Sequence, residues 1–158
     1  MKSLKNHSTI AGVDEVGKGC LFGPVFAGAV ILNEFASQYL IQKGLKDSKL
    51  LSSLKRNKLV PLIMENSINW SLGQSSAKEI DSMGIRVATE KAMIRALQGL
   101  TKQVEMVLVD GLLPIRLWQG PQQTLVRGES KSAAIAAASV LAKVARDRYI
   151  YELCEKYP

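Results

Sequence analysis

Histidine and cysteine are almost missing from this chain of 158 residues: it holds one histidine, His7, and two cysteines, Cys20 and Cys154. Schemes that rely on an imidazole base therefore have almost no material to work with. Two cysteines so far apart make neither a disulfide framework nor a spaced zinc cluster, and both read as ordinary thiols. No apolar run reaches the roughly 18 residues that a membrane span needs. The basic residues 1–7 lead into an apolar run that Asp14 and Glu15 interrupt, so no secretory signal is expected and the cytoplasm is the default location. Repeats, low-complexity tracts and linkers are absent too, and the length suits a single domain over residues 1–158. Acids are outnumbered by bases, 14 to 21, for a net charge of +7. That balance favours a polyanionic partner, although solvated lysines alone also produce it.

What the chain does have is concentrated in residues 12–25. Two adjacent carboxylates, Asp14 and Glu15, end an apolar run, and Gly17-Lys18-Gly19 follows. Side chains alternate faces along a strand, so the two acids are expected to share a site only where the strand stops and the backbone turns. Gly17 and Gly19 permit such a turn, and successive exposed N–H groups attract anions. An acidic pair beside an anion-tolerant loop suggests a hard metal and a phosphate. A solvated hairpin with acids at its tip fits the same residues, because short glycine patterns are unspecific.

Residues 8–13 and 25–32 read as buried strands, antiparallel because their connection is short. A helix is expected over 53–65, with Leu54, Leu59, Leu62 and Ile63 on its apolar side and kinked or shortened by Pro61. A strand at 68–75 follows, then a helical turn stopped at Gly84. Over 85–100, Ile85, Ala88, Ala92, Met93, Ala96, Leu97 and Leu100 recur at helical spacing. Residues 104–109 form a short apolar strand that delivers Asp110 at its carboxyl end, where ligands of open α/β sheets commonly bind. A brief strand at 124–126 leads to Glu129 and then to a long helix over 132–155. Its small, apolar first half implies burial on all sides. Alternating strands and helices indicate an α/β domain.

Carboxylates thus stand at several element ends: Asp14, Glu15, Asp110 and Glu129, with Asp147 inside the long helix. Magnesium is held by one or two carboxylates together with water and substrate phosphate, and paired ions serve phosphodiester hydrolysis. Spacing alone leaves open whether these acids converge or are ordinary surface acids.

The run from Gly12 through Gly19, continued by Gly23-Pro24-Val25, resembles the signature of bacterial ribonuclease HII, the type 2 ribonuclease H. Further blocks agree in order: Asp47-Ser48-Lys49, Ile80-Asp81-Ser82-Met83-Gly84-Ile85 with Ala92-Met93, and Val107-Leu108-Val109-Asp110-Gly111. The last is Gly128-Glu129-Ser130-Lys131-Ser132, leading into residues 136–144 and Arg146-Asp147-Arg148. The resemblance implies a ribonuclease H-like fold, a five-stranded mixed sheet flanked by helices, with a C-terminal helical extension cut short. It implies an endonuclease that cuts RNA in RNA–DNA hybrids and on the 5′ side of single ribonucleotides in duplex DNA. Metal-activated water would leave a 3′-hydroxyl and a 5′-phosphate, as ribonucleotide excision requires.

By the same resemblance Asp14, Glu15, Asp110 and Glu129 would hold Mn²⁺ or Mg²⁺, with Glu129 where the family usually has aspartate. Asp147 is a rival for that fourth place, and its Arg-Asp-Arg context suits an ion-pair partner better. Gly17, Lys18 and Gly19 match a glycine-arginine-glycine loop that meets the ribose 2′-hydroxyl, with lysine replacing the arginine fork. Lys49 and Lys131 would contact phosphates, with Ser48 and Ser132 as hydroxyl donors. Relatives usually continue into a segment bearing a glycine-tyrosine pair, a role not transferred to Tyr157. A monomer is expected. Two other readings compete: a hybrid-binding protein with little catalysis, and a branched-DNA resolvase, which the Gly17-Lys18-Gly19 loop disfavours.

Overall fold

The computed structural model describes residues 9–19 and 23–157; His7 and Cys20 lie outside them, and Cys154 is an exposed free thiol. Five strands form one sheet: β1 (Ile10–Val16), β2 (Val25–Ile31), β3 (Asn69–Ser75), β4 (Met106–Asp110) and β5 (Gln122–Leu125). Their spatial order is β3-β2-β1-β4-β5. β3, β2 and β1 run antiparallel, whereas β4 and β5 add in parallel to β1. The helices are α1 (Glu34–Gln42), α2 (Ser53–Asn66), α3 (Ala77–Met83), α4 (Ile85–Gln98), the short α5 (Gly128–Lys131) and α6 (Ala133–Lys156).

The period of two sorts each strand between two cores. Ala11, Val13, Val25, Ala27, Ala29, Ile31, Val107 and Val109 pack with Ala92, Met93, Ala96 and Leu97 of α4. On the other face, Val30 packs with Leu40, Leu59, Ile63 and residues 136–138, 140 and 141 of α6. The small residues of α6 allow close approach to the sheet. A Cβ on Gly28 would overlap the carbonyl of Ala138, so this contact requires glycine.

This sorting also places the acids. Asp14 follows Val13 and Asp110 follows Val109, a pair in parallel register. Both acids therefore turn away from the α4 core, side by side, toward α5 and α6.

Several expectations change. β1 does not stop at Asp14 but runs on through Val16, because the α6 side of the sheet gives Asp14 a buried place within the strand. Pro61 does not shorten α2, which continues to Asn66; Pro61 is exposed, so the carbonyl that loses its partner can bond to water. Leu54 is exposed, leaving Leu59 and Ile63 as the buried residues of α2. α1 was not anticipated. Asn33 begins it, accepting a hydrogen bond from the Ala36 amide at 2.7 Å, and its buried side is only Ala36 and Leu40. The long helix is preceded by the separate turn α5, and β5 starts at Gln122 rather than 124.

Candidate metal centre

Asp14, Asp110 and Glu129 converge: one carboxylate oxygen from each lies within 4.8 Å of the others. Asp14 comes from within β1, Asp110 from the carboxyl end of β4 and Glu129 from α5. Backbone geometry holds the last two together. Arg127 stands in the left-handed region at φ 55°, an uncommon conformation for a non-glycine residue, and the Gly128 amide that follows donates to Asp110 Oδ1 at 2.7 Å.

Asp14 is 2% exposed. Its Oδ1 accepts from the Glu15 amide at 2.8 Å, while Oδ2 is buried without a hydrogen-bond partner, as is Glu129 Oε2. Glu129 Oε1 accepts from Ser139 Oγ at 3.4 Å. Burial pushes the Asp14 carboxyl up to about 11, helped by the Glu129 carboxylate close beside it and by the charges of Glu15 and Asp110. Burial likewise raises Glu129, to about 7; the neighbouring Asp14 carboxyl opposes this, and the nearby Asp47 and Asp110 carboxylates reinforce it. The Glu129 carboxyl beside it, followed by the Lys49 amide, holds Asp47 below its ordinary value. Metal-free, the cluster retains protons at neutral pH. Buried oxygens with no donor and clustered, desolvated negative charge are what a hard divalent cation relieves, so these residues fit such an ion.

Glu15 stands outside the tight triad. Alternation turns it to the other face of β1, where it contributes to two cavities that meet at Asp110. One, about 380 Å³, is lined by Glu15, Lys18 and Asp110 together with Arg86, Met93 and Leu113. The other, about 270 Å³, exposes Asp14, Glu15, Asp110 and Glu129 beside Lys49, Arg56, Ser139 and Lys143.

The expected substrate groups divide. Gly17 turns at φ 97°, and Lys18 and Gly19 are exposed beyond it. Lys49 is exposed on a 3₁₀ turn, Ser48–Leu50, that Asp47 caps by accepting from the Lys49 amide at 2.9 Å. Lys131 is exposed on α5. The two serines are engaged elsewhere. Ser48 is buried, its Oγ 2.6 Å from Ser139 Oγ, and Ser132 caps α6 by accepting from the Ile135 amide at 3.2 Å. The Ser48 hydroxyl thus meets a second side chain and the Ser132 hydroxyl a backbone amide, and Ser48 also lines the smaller cavity.

Four residues of the site escaped the sequence reading. Arg56 donates to the carbonyls of Ser48 and Leu51 at 2.9 and 2.6 Å, binding the 3₁₀ turn to α2. Ser139 bridges that turn to Glu129; a hydroxyl inside an otherwise apolar run was its signal. Arg146, 7% exposed, donates from Nε to the Pro24 carbonyl at 3.0 Å. Lys143 pairs with Asp147 at 3.0 Å, and Asp147 also lies 3.9 Å from Arg56, so Asp147 is an ion-pair partner outside the triad.

A mixed sheet in this order, with carboxylates from β1, β4 and a turn before the long helix gathered over one face, defines a metal-dependent nuclease of the ribonuclease H class. The sequence profile of the family described as Ribonuclease HII matches residues 11–158. Ribonuclease HII of Prochlorococcus marinus strain NATL2A is 64% identical, over 99% of this chain and 80% of its own length. That of Synechococcus sp. strain CC9902 is 60% identical, over 100% and 79%. Among solved structures, ribonuclease H2 from Pyrococcus horikoshii OT3 superposes with a TM-score of 0.82 at 28% identity, covering 94% of this chain and 77% of that one. Bst-RNase HIII in complex with Mn²⁺ superposes at 0.81 over 94% and 55%; at 21% identity it shows the fold alone. The chain belongs to the ribonuclease HII family.

Proposed function

We propose that this ribonuclease, whose family acts on RNA–DNA hybrids, also nicks duplex DNA on the 5′ side of a single embedded ribonucleotide, leaving a 3′-hydroxyl and a 5′-phosphate. The observation that carries the reading is the pair of buried, partnerless oxygens, Asp14 Oδ2 and Glu129 Oε2, in a triad completed by Asp110. Asp14, Asp110 and Glu129 would hold Mn²⁺ or Mg²⁺, with Glu15 at the rim. When bound, such an ion supplies Lewis acidity that activates water and stabilises the leaving oxygen.

The protein's own part is orientation. The Gly128 amide fixes Asp110, Ser139 fixes Glu129, and the Glu15 amide fixes Asp14 by Oδ1 while burial leaves its Oδ2 without a donor. Gly17, Lys18 and Gly19 meet the ribose 2′-hydroxyl at the edge of the larger cavity, and Lys49 and Lys131 draw in the phosphate backbone. Ser48 and Ser132 act by positioning. Residues 1–158 work as one catalytic domain, as a cytoplasmic monomer.

The test is a nicking assay on duplex DNA carrying one ribonucleotide, with Mg²⁺ or Mn²⁺ added. Cleavage at its 5′ phosphodiester supports the reading. Tight, salt-sensitive binding of a hybrid without any nick at any enzyme concentration overturns it in favour of a hybrid-binding protein.

A further inference from the structure

The cavity over the acidic triad has a cationic side, formed by Lys49, Arg56 and Lys143. These three cations differ in what holds them. The Arg56 guanidinium is used by the carbonyls of Ser48 and Leu51. Lys49 is exposed at the surface of the 3₁₀ turn. Lys143 lies on α6 one turn beyond Ser139, the residue that donates to Glu129. Four residues of helix carry it about 6 Å along the axis from that serine.

Its ammonium is held from behind. Asp147, one further turn along α6, accepts from Lys143 Nζ at 3.0 Å and lies 3.9 Å from Arg56. An exposed i,i+4 pair stabilises a helix by only about 0.3–0.5 kcal/mol, so stability is a weak reason for this one. Lys143 pairs with Asp147 although its side chain borders the same cavity as Asp14 and Glu129. Its position is therefore not that of a counter-ion to the triad. An ammonium has three donors, and Asp147 engages one.

We propose that Lys143 binds the phosphate adjacent to the scissile one in the strand being cut, with Asp147 as the positioning residue that fixes its ammonium. The inference rests on the nuclease reading above. The scissile phosphate belongs beside Asp14, Asp110 and Glu129, and the next phosphate lies one nucleotide along the strand. The cavity that opens over the triad continues to Lys143, giving that second phosphate a fixed point charge. Lysine suits this task because it imposes no bidentate geometry on a backbone that must pass.

The experiment pairs protein variants with substrates in which one phosphate flanking the scissile position, on either side, is replaced by a neutral methylphosphonate. Binding is measured by fluorescence anisotropy in an Asp14→Asn background, which needs no turnover, and kcat/KM is measured in otherwise wild-type protein. The wild-type side chain should lose roughly tenfold on one of the two neutral linkages, a typical penalty for one charged contact. Lys143→Met should lose a similar factor on the natural duplex and nothing further on that linkage, and its salt slope should fall by about one. Lys143→Arg should recover most of the loss. Asp147→Asn should raise KM more than it lowers kcat, with the melting temperature little changed. Additive losses from Lys143→Met and the neutral linkage, or an unchanged salt slope, overturn the proposal. Absence of nicking by every protein, wild type included, counts against the nuclease reading instead, and the anisotropy measurements still decide on Lys143.

Discussion

Gly17 lies directly over the side chain of Arg146: a Cβ at Gly17 would overlap Arg146 Nε, and the same nitrogen donates to the Pro24 carbonyl at 3.0 Å. Both sides of the turn after β1 thus rest on α6, the helix that carries Ser139 and Lys143. Gly17→Ala meets two obstacles, a φ of 97° and the overlap. It should destabilise the fold by about 1–2 kcal/mol from backbone conformation alone. It should also lower kcat/KM on a single-ribonucleotide duplex more than tenfold, because the loop can no longer sit beside Glu15 and Asp110. Thermal melting and the nicking assay check the two parts separately.

The carboxylate triad makes a prediction about pH. Asp14 and Glu129 both have folded values raised above the ordinary 3.8 and 4.5. The folded state therefore binds more protons than the unfolded state once pH passes about 4, and stability falls as pH rises. For Glu129 the loss continues to about 7 and then levels; for Asp14 it continues beyond neutrality. Denaturation of metal-free protein between pH 5 and 8 should show this decline. Saturating Mn²⁺ should flatten it, and binding of the ion should release protons.

Asp14→Asn replaces a buried carboxyl that must take up a proton on folding with a side chain that is always neutral. It should abolish cleavage while raising the melting temperature of the metal-free protein, the usual trade between stability and activity at a strained site. Asp110→Asn should abolish cleavage as well. Turnover retained in either variant removes that residue from the centre.

Ser139→Ala takes one hydroxyl from two partners, Ser48 Oγ and Glu129 Oε1. Loss of the buried bond to Ser48 should destabilise the protein by about 1–3 kcal/mol. With Glu129 no longer oriented, affinity for Mn²⁺ should drop about 10–100-fold. Calorimetric titration with Mn²⁺ measures this without any need for turnover.

Much of this site was legible in the sequence because its acids sit where apolar strands end or alternate. Val107 and Val109 mark the buried face of β4 and so fix where Asp110 points. The apolar run of α6 announces a helix pressed against the sheet. The continuation of β1 past Asp14 was not legible, because a lone buried acid in a strand reads as a strand end until its partners across the sheet are known. Nor was the employment of Ser48 and Ser132, whose hydroxyls suit phosphate as well as they suit a cap or a second serine. α1 is amphipathic over too few residues, Ala36 and Leu40, to stand out from a loop. Arg146 stands in the charged second half of the long helix, and only the packing of Gly17, Gly23 and Pro24 around it shows why an arginine is buried there.

The most direct test of the metal centre is anomalous diffraction from crystals of the protein soaked in Mn²⁺. The account predicts a peak between Asp14 Oδ2, Glu129 Oε2 and the carboxylate of Asp110, lost in Asp14→Asn. Full occupancy of Mn²⁺ elsewhere, with no density among these three side chains, would contradict it.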